Sequence, residues 1–239
     1  MSTSRLVLWD IDHTLLQTGG VGSEVFREAF TSATGRMLEN TPDPTGKLEP
    51  ALFAAACAEN GIPTSAELFE AFASAQERGY RKRAAELAER GRVLPGVREL
   101  LAALAGTPGV IQTVLSGNTL RSGRAKLEIF DLASWLDLSC AVGGEDGATR
   151  PDLVLAAWDR VRGVRGRGFT ADQTVVIGDT PADVDAALSN GCRIVAVATG
   201  MTTVVELAEA GADVVLPDLS EWRTALDVIL QFGGPVSGV

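Results

Sequence analysis

The sequence predicts an α/β fold: a doubly wound, mostly parallel sheet carrying an all-helical insert. Three observations predict it. Short runs rich in Val, Ile and Leu recur without clean alternation, the pattern of parallel strands covered on both faces. Helical stretches separate most of these runs. Between about Gln17 and Arg92 the rhythm breaks, and helices follow one another with no convincing strand. A chain of 239 residues that is 46% hydrophobic suits one such domain with a smaller insert.

The predicted strands, in order, are Leu6–Trp9, Val110–Leu115, Leu138–Val142, Val175–Ile177, Ile194–Ala198 and Val214–Leu216. Pro95-Gly96-Val97 starts a helix whose Val97, Leu100, Leu101 and Leu104 share one face, with Gly106 at its end. Pro181 starts another after Asp179, and Gly191 ends it. Gly163 to Gly168, in "RGVRGRG", reads as a mobile surface loop.

Within the insert, Ser23 is the expected cap of a helix bearing Val25, Phe26, Ala29, Phe30 and Ala33, closed by Gly35. Leu48 to Asn60 reads as a second helix with Leu52, Phe53 and Ala56 buried, and Thr64 to Arg90 as one or two more. The expected division is therefore a core of residues 1–16 and 92–239 and a helical domain of residues 17–91 lying over the strand ends. The charged stretch "RGYRKRAAELAER" reads as a solvated helix face rather than a binding patch. Trp9, Trp135, Trp158 and Trp222 are scattered and read as core or interface.

Three of the apolar runs end in polar groups. The first ends Asp10-Ile11-Asp12-His13-Thr14, the second Ser116-Gly117-Asn118, the fourth Gly178-Asp179-Thr180-Pro181-Ala182-Asp183. In a parallel sheet the C-terminal ends share one edge, and ligands bind outside it. Asp10 and Asp12, two apart in extended chain, face the same way. Their repulsion calls for a cation, and Mg²⁺, hard and oxygen-seeking, is the natural one. Asp179 supplies a further carboxylate, and Asp183, one helical turn on, ligates or supports. Ser116-Gly117-Asn118 is expected to open a helix whose N–H groups and hydroxyl suit a phosphate oxygen. A metal beside an anion site is the layout of phosphoryl transfer.

These residues resemble the haloacid dehalogenase superfamily, in its phosphatase branch. The family's D-x-D-x-T is matched by Asp10, Asp12 and Thr14, its Ser or Thr ending the next core strand by Ser116, and its G-D-x-x-x-D by Gly178, Asp179 and Asp183. The helical insert looks like the α-helical cap of phosphoglycolate phosphatase-like members, and "VGGED" (142–146) and "AVATGMTT" (196–203) look like the same subgroup. The resemblance implies that Asp10 attacks phosphorus to form an aspartyl-phosphate and that Asp12 protonates the leaving oxygen and later deprotonates water. It implies Mg²⁺ held by the Asp10 side chain, the Asp12 backbone carbonyl and Asp179. An acid at position 12 points to phosphate esters, because the superfamily's dehalogenases lack it.

There are two departures. The family's third motif is usually a lysine, whereas "ATRPDLV" places Arg150 there; the chain's three lysines are Lys47, Lys82 and Lys126. Arg150 is expected to grip phosphate unless an upstream residue does. His13, the single histidine, stands where glycine is common. It is read as lining the substrate entrance, since acid–base work belongs to Asp12. Lys47 in "PTGK" is a candidate anchor for a second anionic group.

The expected partner is a small phosphorylated substrate. The rivals are a phosphomutase or phosphonatase on the same scaffold, or a non-catalytic phosphate-binding regulatory module. A formal charge of −10 argues against broad nucleic-acid or anionic-membrane binding. Cys57, Cys140 and Cys192 form no C-x-x-C pair and read as reduced thiols. Leu6–Trp9 is too short, and too soon interrupted by an acid, for a signal segment. No run is long enough for a membrane span. A cytoplasmic monomer or homodimer is expected.

Overall fold

The computed structural model describes residues 4–232, so the outermost parts of the predicted core, 1–3 and 233–239, lie outside the described residues. Its elements in chain order are β1 (Arg5–Trp9), β2 (Leu16–Gln17), α1 (Val21–Thr34), α2 (Glu49–Glu59), α3 (Ala66–Lys82), α4 (Ala84–Arg90), β3 (Arg92–Val93), α5 (Val97–Ala105), β4 (Val110–Val114), α6 (Leu120–Ile129), α7 (Arg150–Arg165), β5 (Thr174–Gly178), α8 (Pro181–Ser189), β6 (Arg193–Val197), α9 (Val204–Glu209), β7 (Val214–Leu216) and α10 (Trp222–Gln231).

Among the described residues, five strands form a sheet in the order β4-β1-β5-β6-β7, with every neighbouring pair parallel. The chain leaves β1 to one side for β4 and returns on the other for β5, so the strand order reverses about β1. That is where an open α/β sheet forms its ligand crevice. Both faces are covered. Val7 and Trp9 join one apolar cluster and Leu6 and Leu8 the other, which is why β1 carries no polar alternation. Trp9 is fully buried and donates its indole N–H to Gln112 Oε1 at 3.2 Å.

The helical segment has an apolar cluster of its own, built from Phe26, Ala29, Phe30, Phe53, Ala56, Cys57, Phe72 and Ala75. The ring centroids of Phe53 and Phe72 lie 4.6 Å apart, and those of Phe26 and Phe72 lie 5.0 Å apart edge to face. A two-stranded antiparallel ribbon, β2 with β3, stands where the chain enters and leaves this segment. Three of the four arginines of "RGYRKRAAELAER" are matched by acids. Arg83 and Arg90 both reach Glu24 and Glu86, tying α4 to α1, and Arg81 reaches Glu77 and Glu128.

Several local expectations need correction. Leu138–Val142 is not a strand. Asp137 holds it as a turn, accepting from the Ser139 hydroxyl and from the Cys140 thiol, and only Val142 bridges to Leu115. Gly20 rather than Ser23 caps α1, because its φ of 88° turns the chain into the helix three residues earlier. The "RGVRGRG" loop is shorter than expected. The face of Leu153, Val154, Ala157 and Val161 packs on the core and carries α7 through Gly163 to a stop at Gly166. All three cysteines are free and buried. No helix among the described residues is long and apolar enough to cross a membrane.

Candidate active site

The C-terminal ends of β1, β4 and β5 converge on an open-mouthed cavity of about 310 Å³ whose other wall is the helical segment. Asp10, Asp12, His13, Lys47, Ser116, Gly117, Asn118, Arg150 and Asp179 all line it. Asp183 lies behind them, fully buried.

Asp10 directly follows β1, and its N–H continues the ladder to Ile177 O at 2.9 Å. Its carboxylate accepts from Arg150 Nη2 at 2.6 Å. Arg150 opens α7 from within the core and is 7% exposed, so its charge is delivered in a poorly hydrated place. The same Nη2 lies 2.6 Å from Asp183 Oδ1, but without the alignment of a hydrogen bond. Asp183 Oδ2 is committed to the Thr180 N–H and hydroxyl at the start of α8. Asp183 Oδ1 is therefore a buried carboxylate oxygen with no hydrogen-bond donor.

Asp10, Asp179 and Asp183 each offer one oxygen within a set spanning no more than 4.8 Å. Asp179 is held by the Thr14 hydroxyl, which donates to Oδ1 at 3.1 Å. Gly200 leaves it room, since a Cβ there would overlap Asp179 Oδ2. Burial pushes Asp10 up to about 7, with Arg150 opposing and Asp183 and Asp12 reinforcing the rise. Burial, then the Asp10 and Asp183 charges, pushes Asp179 up to about 8. Three crowded carboxylates, two resisting ionisation and one with an orphaned oxygen, fit a hard divalent cation that takes oxygen ligands.

Asp12 goes elsewhere. The extended-chain expectation put its carboxylate beside that of Asp10 as a metal ligand; the structure sends it to a second cation. Its Oδ2 accepts from Lys126 Nζ at 2.6 Å and Asn118 Nδ2 at 2.7 Å. The cause lies in the backbone. The chain leaves the extended path after Asp10, with Leu15 N bonded to Ile11 O and His13 at φ 62°. Burial opposes ionisation of Asp12, but the Lys126 charge and these hydrogen bonds outweigh it and hold the carboxyl below the usual range. Only the Asp12 backbone remains for the metal reading.

Lys126 is the residue that sequence reasoning missed. It lies on the buried face of α6, 3% exposed, bonded also to Asn118 Oδ1 at 2.7 Å and 5.0 Å from the centroid of the Tyr80 ring. Burial works against its charge, yet Asp12 foremost keeps it above the ordinary lysine range. Its signal in the sequence was slight: a lysine four residues after Ser122, on the same helical face.

Ser116-Gly117-Asn118 is a loop, not a helix start. Thr119 caps α6, accepting from Ser122 N at 3.3 Å. The carbonyls of Gly117 and Asn118 instead accept from Glu49 N and Gly144 N, both at 2.7 Å, so they bond across loops rather than along a helix. Ser116 Oγ accepts from Asn118 N and Nδ2, which fixes the turn. The close approach that Gly117 allows is to the helical segment: a Cβ there would stand 2.6 Å from Lys47 O and 3.2 Å from Arg150 Nη1. "VGGED" caps this loop region, with Glu145 accepting from Leu120 N at 3.0 Å.

His13 is exposed at the cavity mouth, where its carbonyl accepts from the Thr199 hydroxyl. Its left-handed φ gives the physical reason why glycine suits this position. Lys47 is exposed at the rim. Glu49, which sequence reading also passed over, is 7% exposed and opens α2. Gln76 Nε2 donates to its Oε1 at 2.7 Å, and Gln76 Oε1 in turn accepts from the Ser122 hydroxyl at 2.7 Å. Burial pushes Glu49 up to about 7, against the pull of Lys126.

The chain is similar to known proteins over this whole arrangement. A family model described as haloacid dehalogenase-like hydrolase matches residues 7–188. A curated relative, "Probable phosphatase IndB" of Dickeya dadantii (strain 3937), is 32% identical over 152 residues, which span 62% of this chain and 62% of that protein. Among solved structures, a hydrolase from Pseudomonas syringae aligns with TM-score 0.64 at 23% identity, covering 95% of this chain and 99% of that one. A putative β-phosphoglucomutase from Bacteroides vulgatus aligns with TM-score 0.67 at 20% identity, covering 96% and 90%. A predicted phosphoglycolate phosphatase from Haemophilus somnus 129PT aligns with TM-score 0.65 at 19% identity, covering 94% and 99%. At these identities the structural matches speak to the fold alone. The family match takes in the strand-end residues Asp10, Ser116 and Asp179 together with Lys126, Arg150 and Asp183, and on that basis the chain belongs to the haloacid dehalogenase-like hydrolase family.

Proposed function

We propose that the chain is a Mg²⁺-dependent phosphatase acting on a small phosphorylated metabolite through an aspartyl-phosphate on Asp10. The observation that carries this reading is the separation of two charged groupings at the same strand ends. Asp10 stands with Arg150, Asp179 and Asp183, whereas Asp12 stands with Lys126 and Asn118. Similarity to a probable phosphatase supports it.

The residues divide the work by position. An Asp10 oxygen attacks phosphorus, and the bond to the leaving oxygen breaks. Arg150, already at Asp10, meets the phosphoryl oxygens in that place and spreads their charge. Asp12 rests ionised beside Lys126; an arriving phosphate dianion raises its proton affinity, so it takes up a proton from solvent and passes it to the leaving oxygen as the bond to phosphorus breaks. The same carboxylate, left ionised, then takes a proton from water as that water attacks phosphorus and frees Asp10. Asp10, Asp179 and the Asp12 carbonyl, with Asp183 in support, would hold Mg²⁺, which would supply charge neutralisation and orientation of the phosphoryl group.

The expected result is release of phosphate from p-nitrophenyl phosphate that needs Mg²⁺ and is lost with a chelator. Heavy-oxygen water enters the released phosphate if hydrolysis is the reaction; a mutase would return phosphate to substrate without that label. No phosphate release with any ester tried would leave a binding module as the better reading.

Lys126→Met is expected to cost about 2–3 kcal/mol of stability in urea melts, because Asp12 and Asn118 lose a buried partner. It should also lower turnover by about 100-fold, since Asp12 then loses the charge that keeps it in place and ionised. Lys126→Arg should recover little, the guanidinium being a poor substitute for a compact ammonium in that contact.

A further inference from the structure

We propose that Glu49, with Gln76 beside it, selects phosphate esters whose leaving group is uncharged and hydroxylated, and rejects esters bearing a second anionic group. The inference rests on the phosphatase reading and adds the substrate class to it.

The cavity has two ends of different chemistry. At the strand ends sit the groupings already described, and their cations are committed: Arg150 to Asp10 and Asp183, Lys126 to Asp12 and Asn118. Toward the helical segment the walls are Thr18, Ser23, Glu49, Gln76 and Tyr80, with Phe26 and Leu52 as apolar surface. The hydroxyls and the amide are neutral, the one buried charge-bearing group among them, Glu49, is negative when ionised, and the helical side's cation in this cavity, Lys47, is exposed. Glu49 is fixed there from two sides. Its N–H bonds to Gly117 O in the strand-end loop, and its carboxyl is held by Gln76, which α6 holds through Ser122.

A leaving group emerging from the phosphate site enters this region. A carboxylate or second phosphate would face Glu49 with no uncommitted cation beside it, because Lys47 is at the exposed rim where water screens it. An ammonium group would face Lys126, whose charge acts on Glu49 itself. A hydroxyl suits every wall. It donates to Glu49 when that group is ionised and accepts when it is protonated, and burial brings both forms within reach near neutral pH. Recognition of this kind works by exclusion as much as by attraction.

The test uses two esters on the same carbon skeleton, glycerol 3-phosphate and 3-phosphoglycerate, which differ by CH₂OH against COO⁻. With Mg²⁺ present, kcat/KM is expected to favour glycerol 3-phosphate by about tenfold or more. Glu49→Gln keeps the shape and the acceptor for Gln76, and should bring the ratio to within about threefold by removing the repulsion. Equal rates or a preference for the carboxylate in the unaltered protein overturn the proposal. A ratio preserved in a folded Glu49→Gln protein overturns the assignment to Glu49. Should neither ester nor p-nitrophenyl phosphate be turned over, the phosphatase reading fails separately. The selection is then read from calorimetric binding of the two esters to Asp10→Asn protein, where the same preference is expected and its absence counts against it.

Discussion

Asp10→Asn is expected to lower p-nitrophenyl phosphate turnover by on the order of 10⁴-fold while leaving the protein folded. The amide has the same shape as the carboxyl and keeps an oxygen to accept from Arg150 Nη2, so the contact at 2.6 Å is retained in weaker form. What is lost is the proposed nucleophile, for an amide oxygen does not form a stable phosphoryl ester. The substitution also removes a charge from a place that resists it: burial and the Asp183 and Asp12 carboxylates push Asp10 up to about 7, despite Arg150. Stability in the absence of metal should therefore hold or rise above neutral pH, as thermal melts would record. A dead, well-folded variant separates chemistry from structure. Turnover within tenfold of the unaltered protein would place the nucleophile elsewhere.

How much of this was legible in the sequence depends on where each residue sits. Asp10 and Asp179 were legible because a polar residue ending a buried strand is an anomaly against its own apolar run, and Asp183 by its spacing one helical turn after Asp179. Arg150 was legible through its place in the motif order and one step before Pro151. Lys126 and Glu49 were not. Both are helical charges, and on a helix a lone charge reads as solvated face or, for Glu49 in the first turn of α2, as a partner of the helix dipole. Their burial is produced by the packing of the helical segment on α6, a long-range event that no local spacing encodes. The same holds for Asp12: period-two reasoning needs an extended chain, and the left-handed residue at His13 marks where that premise ends. The sheet was read more fully than the loops, since strand burial is a property of the run itself. The turn at Asp137 is built from side-chain bonds that hydrophobicity does not report.

Stability without metal is expected to fall as pH rises from about 5 to about 8, and Mg²⁺ to restore it most at the alkaline end. The direction follows from proton counting. Asp10 and Asp179 titrate near 3.8 in an unfolded chain but near 7 and 8 in the folded one, so across this window the folded state holds protons that the unfolded state has released. Stability then decreases with pH, by about 1.4 kcal/mol per pH unit for each net proton. Glu49, raised to about 7, adds in the same direction. Asp12 is lowered, so its contribution is gained below the window, in acid, and does not offset the slope. The buried thiols are raised from an ordinary value above the window and stay protonated across it. A divalent cation stabilises the ionised cluster and competes with the protons, so its effect grows as they leave. Melting temperature should thus rise more on adding Mg²⁺ at pH 8 than at pH 6. Asp179→Asn should flatten the metal-free slope and blunt the Mg²⁺ response together, because one carboxylate serves both. A flat metal-free profile in the unaltered protein, or a Mg²⁺ shift independent of pH, would mean that Asp10 and Asp179 are already ionised and that something other than a metal relieves them.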